Sequence, residues 1–121
     1  CRADQPITED IRNKISLFCN IQPDAVIPNL NAPILYEVPL MLEDEGLAKV
    51  VCRRLNLDVP EPDLSEWTAM VKRAKTCKDS VEIALVGKYV QLHDSYLSVV
   101  EALTHGGIEN DVNVHIRWVD S

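Results

Sequence analysis

Residues Val81–Gly107 constrain the fold more than any other part of the chain. Val81, Ile83, Ala84, Leu85 and Val86 form a short apolar, largely β-branched run that stops at Gly87, which predicts a buried strand. Asp94 and Ser95 are good helix starters and Gly106-Gly107 is a good helix stop, so an amphipathic helix is expected between them. Lys88, Tyr89, His93 and Asp94 fall in the intervening loop. Val112, Val114, Ile116 and Trp118 then alternate with polar residues, the period-two pattern of a strand with one polar face. The resulting β-loop-α-β unit matters for function, because ligands of open α/β sheets bind beyond the carboxyl ends of the strands.

The upstream half reads as short pieces. Residues 1–13 are polar and expected to be irregular, with Pro6 as punctuation. Ile15, Leu17, Phe18 and Cys19 predict a strand, with Cys19 as a small core residue. Pro23 and Asp24 mark a turn, and Val26-Ile27 reads as a second short strand closed by Pro28. Asn29 to Pro33 is loop, since its two asparagines lie between Pro28 and Pro33 and leave no room for a regular element. Leu35 to Glu43 holds a short helix, with Pro39 in its first turn or at a break. After Gly46, the residues Leu47, Val50, Val51, Arg54 and Leu55 follow helical spacing. Leu57 to Asp63 contains two prolines and reads as a linker. Asp63 or Ser65 then caps a helix with Trp67, Met70, Val71 and Ala74 on its apolar face.

A length of 121 residues suits one modest domain. The formal net charge of −7 opposes a nucleic-acid surface, which needs clustered Lys and Arg. Arg53-Arg54 and Lys72-Arg73 are short basic pairs expected on solvated helix faces. Cys1, Cys19, Cys52 and Cys77 show no C-x-x-C spacing, so neither a zinc site nor a disulfide framework is indicated. No run is long enough to cross a bilayer and no signal peptide is evident, so a cytoplasmic location is expected. Two strands and one helix cannot cover a parallel sheet on both faces. The chain is therefore expected to be the interior of a longer protein.

The chemical motifs are conspicuous by what they omit. There is no G-x-x-x-x-G-K-[ST] and no G-x-G-x-x-G. No cysteine sits in a glycine-flanked nucleophile turn, and no acidic pair has helical spacing beside a histidine to suggest a metal site. His93 and Asp94 invite a Cys-His-Asp reading, but adjacent side chains point in different directions. His105 is expected at a helix C-terminus, where positive charge is favourable, and His115 on the exposed face of a strand. Trp67 and Trp118 read as core or interface aromatics.

Several segments in one collinear order carry a family resemblance: Lys14–Asn20, Ala25–Ile27, Leu35–Leu40, Glu45–Leu47 and the whole of Val81–Gly107. Together they resemble CTP synthase over nearly the whole chain. The resemblance implies an α/β architecture in three parts. Residues 1–57 would end a P-loop-like (Rossmann-like) amidoligase domain. Residues 58–80 would form a connector with a helix, and residues 81–121 would open a flavodoxin-like class I glutamine amidotransferase domain. It implies ATP-dependent amination of UTP to CTP with ammonia from glutamine, with Mg2+ as cofactor, GTP as activator, CTP as inhibitor and a homotetrameric assembly. The phosphate loop and Mg-binding acids would lie before Cys1, and the Cys-His-Glu triad beyond Ser121.

Residue by residue, Lys14 matches a lysine contacting UTP or CTP. An ammonium at a strand start could meet a phosphate as a point charge. Leu30, Asn31 and Ala32 match the loop that cradles ATP. Asn31 stands where the family usually has Asp, keeping an acceptor while losing the charge. Lys88 and Tyr89 match residues at the amidotransferase mouth, in the region of GTP activation. None of the implied catalytic residues lies in this stretch. Two other readings stay open: another class I amidotransferase enzyme, or a non-enzymatic binding or regulatory derivative.

Overall fold

The computed structural model describes residues 1–121 as two compact units, Cys1–Leu64 and Ser65–Ser121. The first unit is helical. Residues 1–8 form no helix or strand, as expected, but helix α1 (Glu9–Cys19) replaces residues 9–13 of the expected irregular stretch and the strand expected over Ile15–Cys19. Its ends explain why. Thr8 is an extended N-cap whose hydroxyl accepts from the Ile11 amide, and Glu9 and Asp10 place negative charge in the first turn. Asn20 closes the helix in the left-handed region at φ 51°, donating to the carbonyls of Leu17 and Ser16. The apolar run at 15–19 is thus the last turn of a helix. Cys19 is exposed, as are Leu17 and Phe18, so Cys19 is not a core residue.

A 3-10 turn at Pro23–Ala25 follows. Val26 and Ile27 form no strand, although both are buried. Their segment pairs with the start of the chain instead, through a parallel bridge between Arg2 and Asn29. The Asn29 amide donates to the Cys1 carbonyl (2.8 Å) and the Ala3 amide to the Asn29 carbonyl (3.2 Å). Too few residues take part for a strand to propagate. Arg12 of α1 reaches across to the Val26 carbonyl and to Glu45 (3.7 Å), tying the helix to this buried segment.

Leu35–Glu37 forms a 3-10 turn that runs into α2 (Val38–Asp44), with Pro39 in the first turn, where its missing N–H costs nothing. Gly46 at φ 77° separates α2 from α3 (Leu47–Leu55), which Asn56 ends in the left-handed region. These elements agree with the sequence reading. Of the expected basic faces, Arg53 and Arg54 are exposed, and Arg53 pairs with Asp24.

The second unit is the β-loop-α-β arrangement with one helix before it. Helix α4 (Ser65–Thr76) buries Val71 and packs on α5 (Leu97–Glu109). Arg73 of α4 is half-buried and reaches Glu109 of α5 at 3.3 Å, so it is not the solvated residue expected. Strands β1 (Asp79–Gly87) and β2 (Val112–Asp120) pair in parallel, from Asp79 opposite Val112 to Gly87 opposite Asp120. Ile83 and Leu85 lie on the covered face of β1, with Leu85 buried, whereas Glu82, Ala84 and Val86 are exposed. The strand expected to be buried therefore shows one face to solvent. β2 alternates as anticipated, with Asn113, His115 and Arg117 outward. Arg117 meets Glu82 across the outer face at 3.2 Å.

Two expectations about α5 fail. Asp94 and Ser95 do not cap it; they lie in a 3-10 turn, His93–Tyr96, that leads into the helix at Leu97. Gly106-Gly107 does not stop it, because the helix continues to Glu109. Gly107 is there for closeness. A Cβ at this position would sit 2.6 Å from the Val112 carbonyl oxygen and 2.9 Å from the Val114 side chain. Only a hydrogen lets α5 approach β2 this nearly. His105 accordingly sits inside the helix, 4.0 Å from Glu101 one turn earlier.

Candidate functional site

The carboxyl ends of β1 and β2 finish side by side, and the chain beyond Gly87 folds over them. Lys88, Tyr89, Val90, Gln91 and Leu92 from the loop, with Asp120 and Ser121 from the end of β2, line an open cleft of about 440 Å³. This is the position at which open parallel sheets bind ligands. Val90 is buried and roots the loop, while Tyr89 and Leu92 stand 74% and 63% exposed, available for contact.

The loop owes its shape to identifiable contacts. The Leu92 amide donates to the Tyr89 carbonyl (2.8 Å) and the Ser95 amide to the Leu92 carbonyl (2.9 Å). Tyr89 lies at φ 59°, in the left-handed region that bulky residues avoid. Such a backbone persists where its surroundings over-determine it, and costs about 1–2 kcal/mol. The surroundings here are aromatic. The Tyr96 hydroxyl donates to the Lys88 carbonyl at 2.6 Å. The Tyr96 ring meets Trp118 edge-on (centroids 6.0 Å apart), and His93 stacks on Trp118 at 4.4 Å with an interplanar angle of 13°. Trp118 is therefore an anchor for the loop, and His93 spends a ring face on it. At the carboxyl end of the sheet, the Ser121 amide donates to the Gly87 carbonyl (3.2 Å).

The cleft offers an ammonium (Lys88), a phenol (Tyr89), a carboxylate (Asp120) and a hydroxyl (Ser121). Such a set binds and orients. It lacks a thiol: Cys77 lies at the end of α4, its Sγ donating to the Arg73 carbonyl (3.1 Å). No three His, Cys, Asp or Glu side chains gather as metal ligands anywhere in the chain. No helix is long and apolar enough to cross a membrane.

The sequence-derived candidates separate into the two units. Lys88 and Tyr89 share the cleft. Lys14 sits in the middle of α1, exposed, its ammonium forming no hydrogen bond or ion pair; the strand start imagined for it does not exist. Leu30 lines a small depression with Pro28, Met41, Asp44 and Glu45. Asn31 is exposed and committed within the protein: its Oδ1 accepts from Arg2, and its Nδ2 donates to Asp4 at 3.2 Å. Ala32 is half-buried beside it. Sequence reasoning did not find Asp120, Ser121, Tyr96 or Trp118 as parts of the site. The signal was the level register of the strands, which a pattern of apolar residues does not encode.

Comparison with known proteins bears on both units. The family model described as CTP synthase N-terminus matches residues 1–57. Over all 121 residues the chain is 62% identical to a CTP synthase of Ruminiclostridium cellulolyticum and covers 23% of that protein. It is 61% identical to a CTP synthase of Symbiobacterium thermophilum, covering 22% of it. It is 55% identical to one of Clostridium acetobutylicum, covering 23%. The chain thus spans less than a quarter of the length of the curated relatives it matches.

Proposed function

We infer that this chain belongs to the CTP synthase family and that the protein it comes from aminates UTP to CTP, using ATP and ammonia released from glutamine. The observation that carries this reading is the 62% identity to a CTP synthase over all 121 residues, because one match spans both units. Residues 1–57 then close the amidoligase domain, 58–80 connect, and 81–121 open a flavodoxin-like class I glutamine amidotransferase domain. Support for the last assignment comes from the parallel β1–β2 pair with its cleft at the carboxyl ends. The uncovered face at Ala84 and Val86 adds to it, since parallel sheets are ordinarily covered on both sides.

In this reading Lys88 and Tyr89 stand at the amidotransferase mouth, where GTP acts. Leu30, Asn31 and Ala32 lie along the ATP adenosine, and Lys14 faces the UTP or CTP phosphates. Lys14 suits that role as an exposed, uncommitted cation. Asn31 suits it less well, because both ends of its amide are already engaged by Arg2 and Asp4. Contact with ATP would then pass through the backbone of residues 30–32. Mg2+ accompanies ATP in such a reaction, but these residues compose no ligand set for it. The family resemblance assigns its ligands to other parts of the protein. A homotetramer in the cytoplasm completes the proposal.

The test is a glutamine-dependent UTP-to-CTP assay on the full-length protein, with ATP and Mg2+. CTP formation that stops when glutamine is omitted and resumes with ammonium is the expected result. A purified, folded full-length protein that forms no CTP from either nitrogen source would overturn the reading.

A further inference from the structure

Gly87, Tyr96, Trp118 and His93 form one connected device around the Lys88–Leu92 loop. Gly87 is the first part. A Cβ there would collide with the Tyr96 hydroxyl, so the absence of a side chain at Gly87 is what admits Tyr96 against the backbone. The hydroxyl is the second. It reaches back from the 3-10 turn to the Lys88 carbonyl (2.6 Å), one peptide before Tyr89 turns into the left-handed region. The third is the seat. Trp118 of β2 holds the Tyr96 ring edge-on from one side and carries His93 flat at 4.4 Å. The peptide that leads into the exposed Tyr89 is thus bonded to a residue seven positions after Tyr89 in sequence, seated on the neighbouring strand.

We propose that Tyr96 is a positioning residue for the cleft: its hydroxyl, seated by Trp118 and admitted by Gly87, fixes the Lys88 peptide so that the Lys88 and Tyr89 side chains face the ligand. Tyr96 acts through Lys88 and Tyr89 and has no role of its own in bond making. The functional half of this inference rests on the reading of Lys88 and Tyr89 as residues of the amidotransferase mouth.

The test uses the full-length protein with Tyr96→Phe, which keeps the ring on Trp118 and deletes only the hydroxyl, and with Gly87→Ala, which pushes the hydroxyl away from the other side. Hydrogen exchange is followed for a peptide covering Lys88–Leu92, with the interior of β2 (Val114, Ile116) as the control for fold. In both variants the loop is expected to exchange about two- to ten-fold faster with β2 unchanged, the factor a single neutral hydrogen bond commands. Glutamine-driven CTP formation is expected to fall by a similar factor, roughly two- to ten-fold, with the ammonium-driven rate unchanged. Loop exchange that stays at the wild-type rate in Tyr96→Phe would overturn the positioning role. Both nitrogen sources failing equally would overturn it too, by showing a merely structural residue. Faster loop exchange with an unaltered glutamine-driven rate would confirm that Tyr96 fixes the loop while overturning the assignment of Lys88 and Tyr89 to the mouth.

Discussion

The loops at 29–32 and 88–92 are both connections carrying proposed ligand contacts, yet they are held by different forces. The first is tied by a short backbone bridge between Asn29 and residues 1–3 and by exposed polar side chains: Asn31 between Arg2 and Asp4, with Arg2 also donating to the Ala3 and Asn29 carbonyls. The second is held by a buried root at Val90, a hydroxyl on a backbone carbonyl, and rings seated on a strand. Exposed ionic contacts are weak and screened by salt. Packed aromatics and close glycine contacts are neither. The side-chain ties of the first loop can therefore be changed cheaply, whereas the second loop stores strain at Tyr89 that its surroundings must hold.

The strongest way to break the contrast is to remove what supports the second loop. Leu85→Ala empties the covered face of β1 and should cost about 3 kcal/mol. Both tryptophans of the chain, Trp67 and Trp118, lie in the second unit, so urea unfolding followed by their fluorescence reads that unit alone. Gly107→Ala, which presses a methyl on the Val112 carbonyl, should cost about 2 kcal/mol by the same measurement. An unchanged midpoint would mean that α5 does not approach β2 so closely.

The opposite sign is expected at Tyr89. Tyr89→Gly relieves the left-handed backbone and should stabilise by up to about 1 kcal/mol, while weakening whatever the phenol contacts in the cleft. A stability gain without a functional loss would sever strain from role. The smallest effect belongs to the ionic side. Arg53→Ala, which breaks the exposed pair with Asp24, should change stability by no more than about 0.5 kcal/mol. That difference should shrink in 1 M salt, where the screening length falls to about 3 Å. Thermal melting at two salt concentrations would show it.

The contrast also explains what could be read from residues alone. The β-loop-α-β unit was legible because strand alternation and helix periodicity are local, and Lys88 and Tyr89 follow from the rule about strand ends. The fate of Gly106-Gly107 was not, because a glycine that ends a helix and one that lets a helix touch a strand look alike until Val112 is in place. Helix α1 was misread for a different reason. Leu17, Phe18 and Cys19 make an apolar run that suggests burial, but all three are exposed. The deciding signals were polar: Thr8 with Glu9 and Asp10 at one end, Asn20 at the other. Similarly, His93 and Asp94 drew notice as chemistry, whereas the stacking of His93 required knowing that Trp118 comes level with the loop.

That level finish has a consequence for engineering. Gly87 and Asp120 end their strands opposite one another, so the sheet acts as a ruler for everything built above it. One extra residue inserted between Ile116 and Trp118 would rotate the indole to the far side while Val114 and Ile116 kept their places beneath it. The polypeptide could still fold as a sheet and helix, but His93 and Tyr96 would find no surface to rest on. A length error at this end of the strand should therefore be forgiven by the scaffold and punished at the cleft.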